Sequence, residues 1–172
     1  MAKTNDELLA ILSQFALEEK VVSAEPFGNG HINDTLKVTT DKGEIKYVLQ
    51  RINHLVFTNV EMLQHNIHVV TTHIREKLEA KGETDIDRKV LTFLPTKDGK
   101  YYYFDGDSYW RVCLFIPRSK SYEEVTPELS YEAGKAFGDF QLMLSDLPEG
   151  SLGETIPNFH NTEDRFNQFI TA

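Results

Sequence analysis

Three short strand-like runs joined by glycine turns and followed by one long amphipathic helix restrict this chain to few folds. Val21–Phe27 and Thr35–Thr39 flank Gly28-Asn29-Gly30-His31-Ile32-Asn33-Asp34, and Asp41-Lys42-Gly43 turns the second run into a third, Glu44–Ile52. A glycine turn after each run lets the next strand return beside it. From Thr58 to about Lys81, the apolar residues Val60, Leu63, Ile67, Val70, Ile74 and Leu78 recur by threes and fours, which is one face of a helix. Gly82 ends it.

The remaining elements are read the same way. Thr4-x-x-Glu7 is a capping box that opens a helix to about Glu19. Further strand runs are Lys89–Leu94, Tyr101–Phe104 and Tyr109–Phe115, with Asp105-Gly106 as the hairpin signal between the last two. Pro117 and Arg118-Ser119-Lys120-Ser121 then break the pattern and divide the chain into 1–117 and 118–172. Thr126-Pro127 begins a helix to about Leu147 with Ala133, Ala136, Phe137, Phe140 and Leu144 on one face. Gly134 and Gly138, one turn apart, predict close helix packing. Thr162 is the expected cap of a last helix with Phe166, Phe169 and Ile170 as its stripe. The order is α+β: helix, strands, long helix, strands, hinge, helices.

Charge narrows the partners. The 27 acidic residues outnumber the 18 basic ones, for a net charge of −9, which argues against nucleic acid and against anionic membrane surfaces. A phosphate-bearing ligand stays compatible, because local amides and one or two cations outweigh distant charge. Cys113 is the single cysteine, so no disulfide forms within the chain. The start is polar and acidic rather than a targeting segment, and no apolar run is of membrane-spanning length, so a cytoplasmic location is expected.

The glycine turn suggests chemistry. Gly28 and Gly30 allow backbone N–H groups to approach phosphate oxygens, although Gly-x-Gly between strands also makes an ordinary hairpin. His31 and Asn33 are candidate contacts to a transferred phosphate or a sugar, or else simple turn formers. Strand alternation puts Tyr47, Leu49 and Arg51 on one face. With Leu49 against a base, Arg51 would reach the phosphates; otherwise it is a solvated strand-edge cation. Glu61, His65 and His68 share a helix face that solvation explains more simply than zinc.

Several segments carry a resemblance. Gly30-His31-Ile32-Asn33-Asp34-Thr35, Tyr47-Val48-Leu49-Gln50-Arg51-Ile52-Asn53, Phe115-Ile116-Pro117 and Ala133-Gly134-Lys135-Ala136-Phe137-Gly138-Asp139-Phe140-Gln141 resemble the aminoglycoside phosphotransferase and choline kinase superfamily. The loop, with Glu154-Thr155-Ile156-Pro157-Asn158-Phe159-His160, looks like its N-acetylhexosamine 1-kinase branch. The resemblance implies a protein-kinase-like N-lobe, an antiparallel sheet plus a long helix, over 1–117. Residues 118–172 would be the hinge and the first helices of an α-helical C-lobe.

The resemblance also implies ATP as phosphate donor, Mg2+ as its ion, and a sugar as acceptor, phosphorylated at the anomeric hydroxyl. Choline, homoserine and aminoglycosides are the alternative acceptors. Family members place a lysine or arginine at Arg51, with Glu61 its expected partner and Asn66 an alternative contact; otherwise Thr58-x-x-Glu61 is a capping box and Glu61 only caps its helix. Phe115-Ile116-Pro117 resembles a hinge that holds adenine. Pro117 has no N–H, so Ile116 N–H is the expected donor and Leu114 C=O the acceptor.

No His-Gly-Asp-like catalytic loop occurs, so the catalytic residues and magnesium ligands stay unassigned. The last helix stops at Ala172 in mid-stripe. The chain is therefore expected to correspond to the first half of a family member, inactive by itself and able to self-associate through that helix. A nucleotide-binding fragment without activity, and a structural domain whose glycine loop is only a turn, are the competing readings.

Overall fold

Thr4 and Glu7 cap the first helix reciprocally: Glu7 N–H donates to Thr4 Oγ1 at 3.3 Å and Thr4 N–H to Glu7 Oε2 at 2.7 Å. The structure, a computed structural model, describes residues 3–28, 30–122 and 124–172. Helix α1 spans Asn5–Leu12 and stops short of the expected Glu19. Tertiary pairing takes the next residues: Ala16 N–H donates to Pro95 O at 2.9 Å and Lys97 N–H to Gln14 O at 2.8 Å. Phe15 stays in the core from this extended segment.

Strands β1 (Val21–Pro26), β2 (Asp34–Thr40) and β3 (Ile45–Ile52) form the expected antiparallel meander. Strands β4 (Phe93–Leu94) and β5 (Tyr103–Phe104) are two residues each, and both pair with β6 (Tyr109–Leu114). Strand β6 lies beside β3, so the six-stranded sheet runs β1-β2-β3-β6-β4, with β5 against the start of β6. The run Lys89–Leu94 is mostly not strand. A 3-10 turn at Ile86–Arg88 precedes it, and Val90 is buried with Ile74 and Leu78 of the long helix α2 (Val60–Ala80).

Alternation gives the sheet two unlike faces. One carries Val38, Tyr47, Leu49, Trp110 and Val112, buried against Leu8, Ile11 and Leu12 of α1. Each large side chain removed from water there contributes roughly 1.5–3 kcal/mol. The other face carries Val48, Gln50, Arg111 and Cys113, all half-buried.

Helix α2 is capped by Asn59, whose Oδ1 accepts from Met62 N–H at 2.9 Å, rather than by Thr58. Helix α3 (Pro127–Leu144) starts at the expected Thr126, which accepts from Leu129 N–H at 3.2 Å, and ends three residues before Leu147. Met143 and Leu144 pack on α2. Lys77 Nζ donates to Met143 O at 2.9 Å, and His73 Nε2 meets Asp146 Oδ1 at 2.9 Å. Hydrogen bonds from Lys77 and His73 hold the Asp146 carboxyl down at about 2.

Helix α4 (Thr162–Thr171) is capped by Asn161, not Thr162. The close packing expected at Gly134 and Gly138 is absent among the described residues: a Cβ at either would meet nothing within 4 Å. Phe137, Phe166, Phe169 and Ile170 are exposed. Among the described residues no helix is long and apolar enough to cross a membrane.

Candidate functional site

The sheet separates two cavities. The first, of about 400 Å³, lies at the end of β6 and is lined by Phe27, Val48, Phe93, Leu114, Phe115 and Ile116, together with the polar Gln50 and Arg111. The second, of about 660 Å³, lies on the α1 face and is bordered by Gly28, Gly30, Asn33, Arg51 and Trp110. Phe27 borders both, and its ring meets Phe115 edge-on with centroids 5.8 Å apart.

The residues expected to form one nucleotide site are thus divided by the sheet. Leu114 and Ile116 line the first cavity. Leu114 N–H donates to Thr92 O and Phe115 N–H to Lys46 O, both at 2.9 Å, which fixes the strand end. Ile116 N–H makes no hydrogen bond among the described residues, whereas its carbonyl accepts from Ser119 Oγ at 3.2 Å. A free amide donor beside an apolar slot is what a purine edge requires.

Leu49 does not line this slot. Its exposure is 0%, and it is packed under α1 with Tyr47 and Val112. Arg51 shares that face and borders the second cavity. Its guanidinium engages the Asp34 carboxylate directly across the β2–β3 ladder. The expected Arg51–Glu61 pair is therefore replaced by Arg51–Asp34, because the register puts that acid beside it. Glu61 is exposed in the first turn of α2, and its expected capping box is superseded by Asn59. Strand residues one apart point to opposite sides, so Val48 and Gln50 face the first cavity while Leu49 and Arg51 face the α1 side.

The loop residues have local roles. Gly28 has φ +80°, the left-handed region that favours glycine, and a Cβ at Gly30 would lie 3.4 Å from Asn33 O. Asn33 Oδ1 accepts from Asn53 N–H at 2.9 Å and so ties the loop to the end of β3. His31 is exposed with no hydrogen bond among the described residues. Asn29 lies outside the described residues.

Sequence reasoning missed the polar residues that line the first cavity. Gln50 and Arg111 are register partners on β3 and β6. Arg111 Nε donates to Gln50 Oε1 at 2.9 Å and Nη2 donates to the same oxygen at 2.5 Å. The guanidinium lies 5.3 Å from the centroid of Phe93. Gln64 of α2 is 4% exposed; with its amide oxygen toward the sheet it accepts from Arg111 Nη1 at 3.2 Å and donates to Tyr101 O at 3.3 Å. Burial lowers the pKa of Arg111 and pushes the neighbouring Cys113 thiol up to about 11. The signal was a cation alternating with Trp110 and Val112 in an otherwise apolar strand.

An apolar slot, an unbonded amide and a half-buried cation suit a nucleotide. For magnesium the residues offer less: among the described residues no acid lines this cavity, and no group of three His, Cys, Asp or Glu is placed to hold a metal ion. Of the helical histidines, His65 Nε2 meets Ser151 O at 3.1 Å and His68 stacks on Tyr101. A scan against models of known protein families found no match to the chain.

Proposed function

We propose that this chain is the nucleotide-binding part of an ATP-dependent small-molecule kinase, with a sugar such as an N-acetylhexosamine as acceptor. The observation that carries the nucleotide reading is the Ile116 N–H, which has no hydrogen-bond partner among the described residues and belongs to the lining of an apolar cavity with Leu114, just short of Pro117. In this reading adenine lies between Val48, Phe93 and Phe115, donating to Leu114 C=O and accepting from Ile116 N–H. The antiparallel sheet with α2 beside it is compatible with a kinase-like N-lobe. The sugar rests on the resemblance of the Gly30–Thr35 loop alone. Magnesium would accompany ATP, held by groups outside this cavity.

A second reading, a nucleotide-binding module without activity of its own, is favoured by the cavity lining, which among the described residues includes no carboxylate. Phosphoryl transfer needs an acid that positions the acceptor hydroxyl. Titrating isotope-labelled chain with ADP tests the shared part: the Ile116 amide resonance is expected to shift strongly, and an unmoved Ile116 would sink the assignment. An assay with ATP, magnesium and N-acetylglucosamine separates the two readings by whether sugar phosphate exceeds the no-enzyme control.

A further inference from the structure

We infer that Arg111, oriented by Gln50 and Gln64, is the group that holds the phosphates of the nucleotide, in place of any cation on β3. The inference rests on the nucleotide reading of the first cavity and adds a residue to it. Three observations support it.

Arg111 is on the correct face. It lines the same cavity as Leu114 and Ile116, whereas Arg51 lies across the sheet. Arg111 and Leu114 are three positions apart along the strand, roughly 10 Å. That is about the reach from a purine base to the phosphates of the same nucleotide.

Arg111 is also uncompensated. Among the described residues no carboxylate is within ion-pair distance of it, while Arg51 and Arg75 each have one. Its partners are two neutral amides and an aromatic face. A half-buried cation without a counter-charge is costly, and a bound anion would relieve that cost.

The guanidinium is held in one orientation. Its Nε–H and one Nη2–H go to Gln50 and one Nη1–H goes to Gln64, which leaves two N–H groups of its five for a ligand. A planar donor pair suits phosphate oxygens. Gln50 and Gln64 are positioning residues here. They aim the fork without neutralising it, which a carboxylate at either place would do.

Calorimetric titration of the full chain with ADP and with adenosine tests this. The wild-type chain is expected to bind ADP more tightly than adenosine. Arg111→Met should weaken ADP by at least tenfold and leave adenosine within about twofold, since only phosphate contacts are removed. Arg111→Lys, which keeps the charge and loses the fork, should fall between them. Equal ADP affinity in wild type and Arg111→Met overturns the inference and leaves the nucleotide reading intact. Failure of the wild-type chain to bind either compound overturns both. If Arg111→Met does not fold, the side-chain Nε resonance of Arg111 in wild type gives the answer: it should shift with ADP and not with adenosine, and an unmoved resonance under saturating ADP overturns the inference.

Discussion

Asn66 of α2 and the backbone of Gly153 exchange two hydrogen bonds, Nδ2 to Gly153 O at 2.7 Å and Gly153 N–H to Oδ1 at 2.9 Å. With the Asp146 contacts to His73 and Lys77, this pair fastens the segment after α3 to the long helix. A Cβ at Gly153 would lie 2.5 Å from Met62 Sδ and 2.8 Å from its Cγ. Gly153→Ala should therefore destabilise the chain by about 1 kcal/mol, at the low end for overpacking, because the flexible Met62 side chain can turn aside. Gly153→Ala combined with Met62→Ala should cost less than the sum of the two single changes. Chemical denaturation of the four proteins measures this, and strict additivity would show that the two side chains do not meet.

Arg51→Ala is expected to change stability by less than about 1 kcal/mol, because its pair with Asp34 is half exposed. ADP affinity should stay within about twofold, since the sheet lies between Arg51 and the first cavity. A large loss of ADP binding in this variant would place the phosphates on the α1 face instead.

Leu49→Ala should cost about 2–5 kcal/mol, as for other fully buried leucines. Denaturant unfolding gives the value. A cost under about 1 kcal/mol would be incompatible with a side chain sealed beneath α1.

Asp105 supplies the pH test. Although burial pushes its carboxyl up, N–H groups of Ser108 and Asp107, the Lys3 ammonium and the Trp110 indole hold it well below the usual value near 3.8. Trp110 Nε1 donates to it at 2.8 Å and Lys3 Nζ lies at 2.9 Å. A depressed folded pKa means stability present above the unfolded value and lost as pH falls through the folded one. Asp105→Ala should cost about 2–3 kcal/mol at neutral pH by leaving the buried indole unpaired. The loss caused by Asp105→Asn should shrink as pH falls from about 5 to about 2. Thermal unfolding across that range is the measurement, and a loss that grows with acid would contradict the assignment.

Local signals set much of the architecture. The Thr4-x-x-Glu7 box, the Asp41-Lys42-Gly43 turn, the stripe from Val60 to Leu78 and Thr126-Pro127 each act within a few residues, so their geometry is written in the chain itself. The antiparallel meander of β1, β2 and β3 follows from the same short-range chemistry. Helix α1 ends early because Ala16 and Lys97 find backbone partners about eighty residues apart in sequence from each other's segments, a choice that local propensity does not encode.

The candidate site was legible only in part. Leu114, Ile116 and Pro117 mark a strand end that any reading of the sequence finds, because proline stops the ladder there. Which face of β3 meets that end was not legible, since alternation defines two faces without naming which one a helix will cover. Packing decided it. The apolar residues of α1 seal Tyr47 and Leu49, and this turns Val48 and Gln50 toward the cavity. The Gln50–Arg111 contact depends on β6 pairing with β3 across about sixty residues of intervening chain, and Gln64 reaches Arg111 only once α2 lies over that face. Short-range chemistry determined the elements; long-range pairing and burial determined which side chains converge.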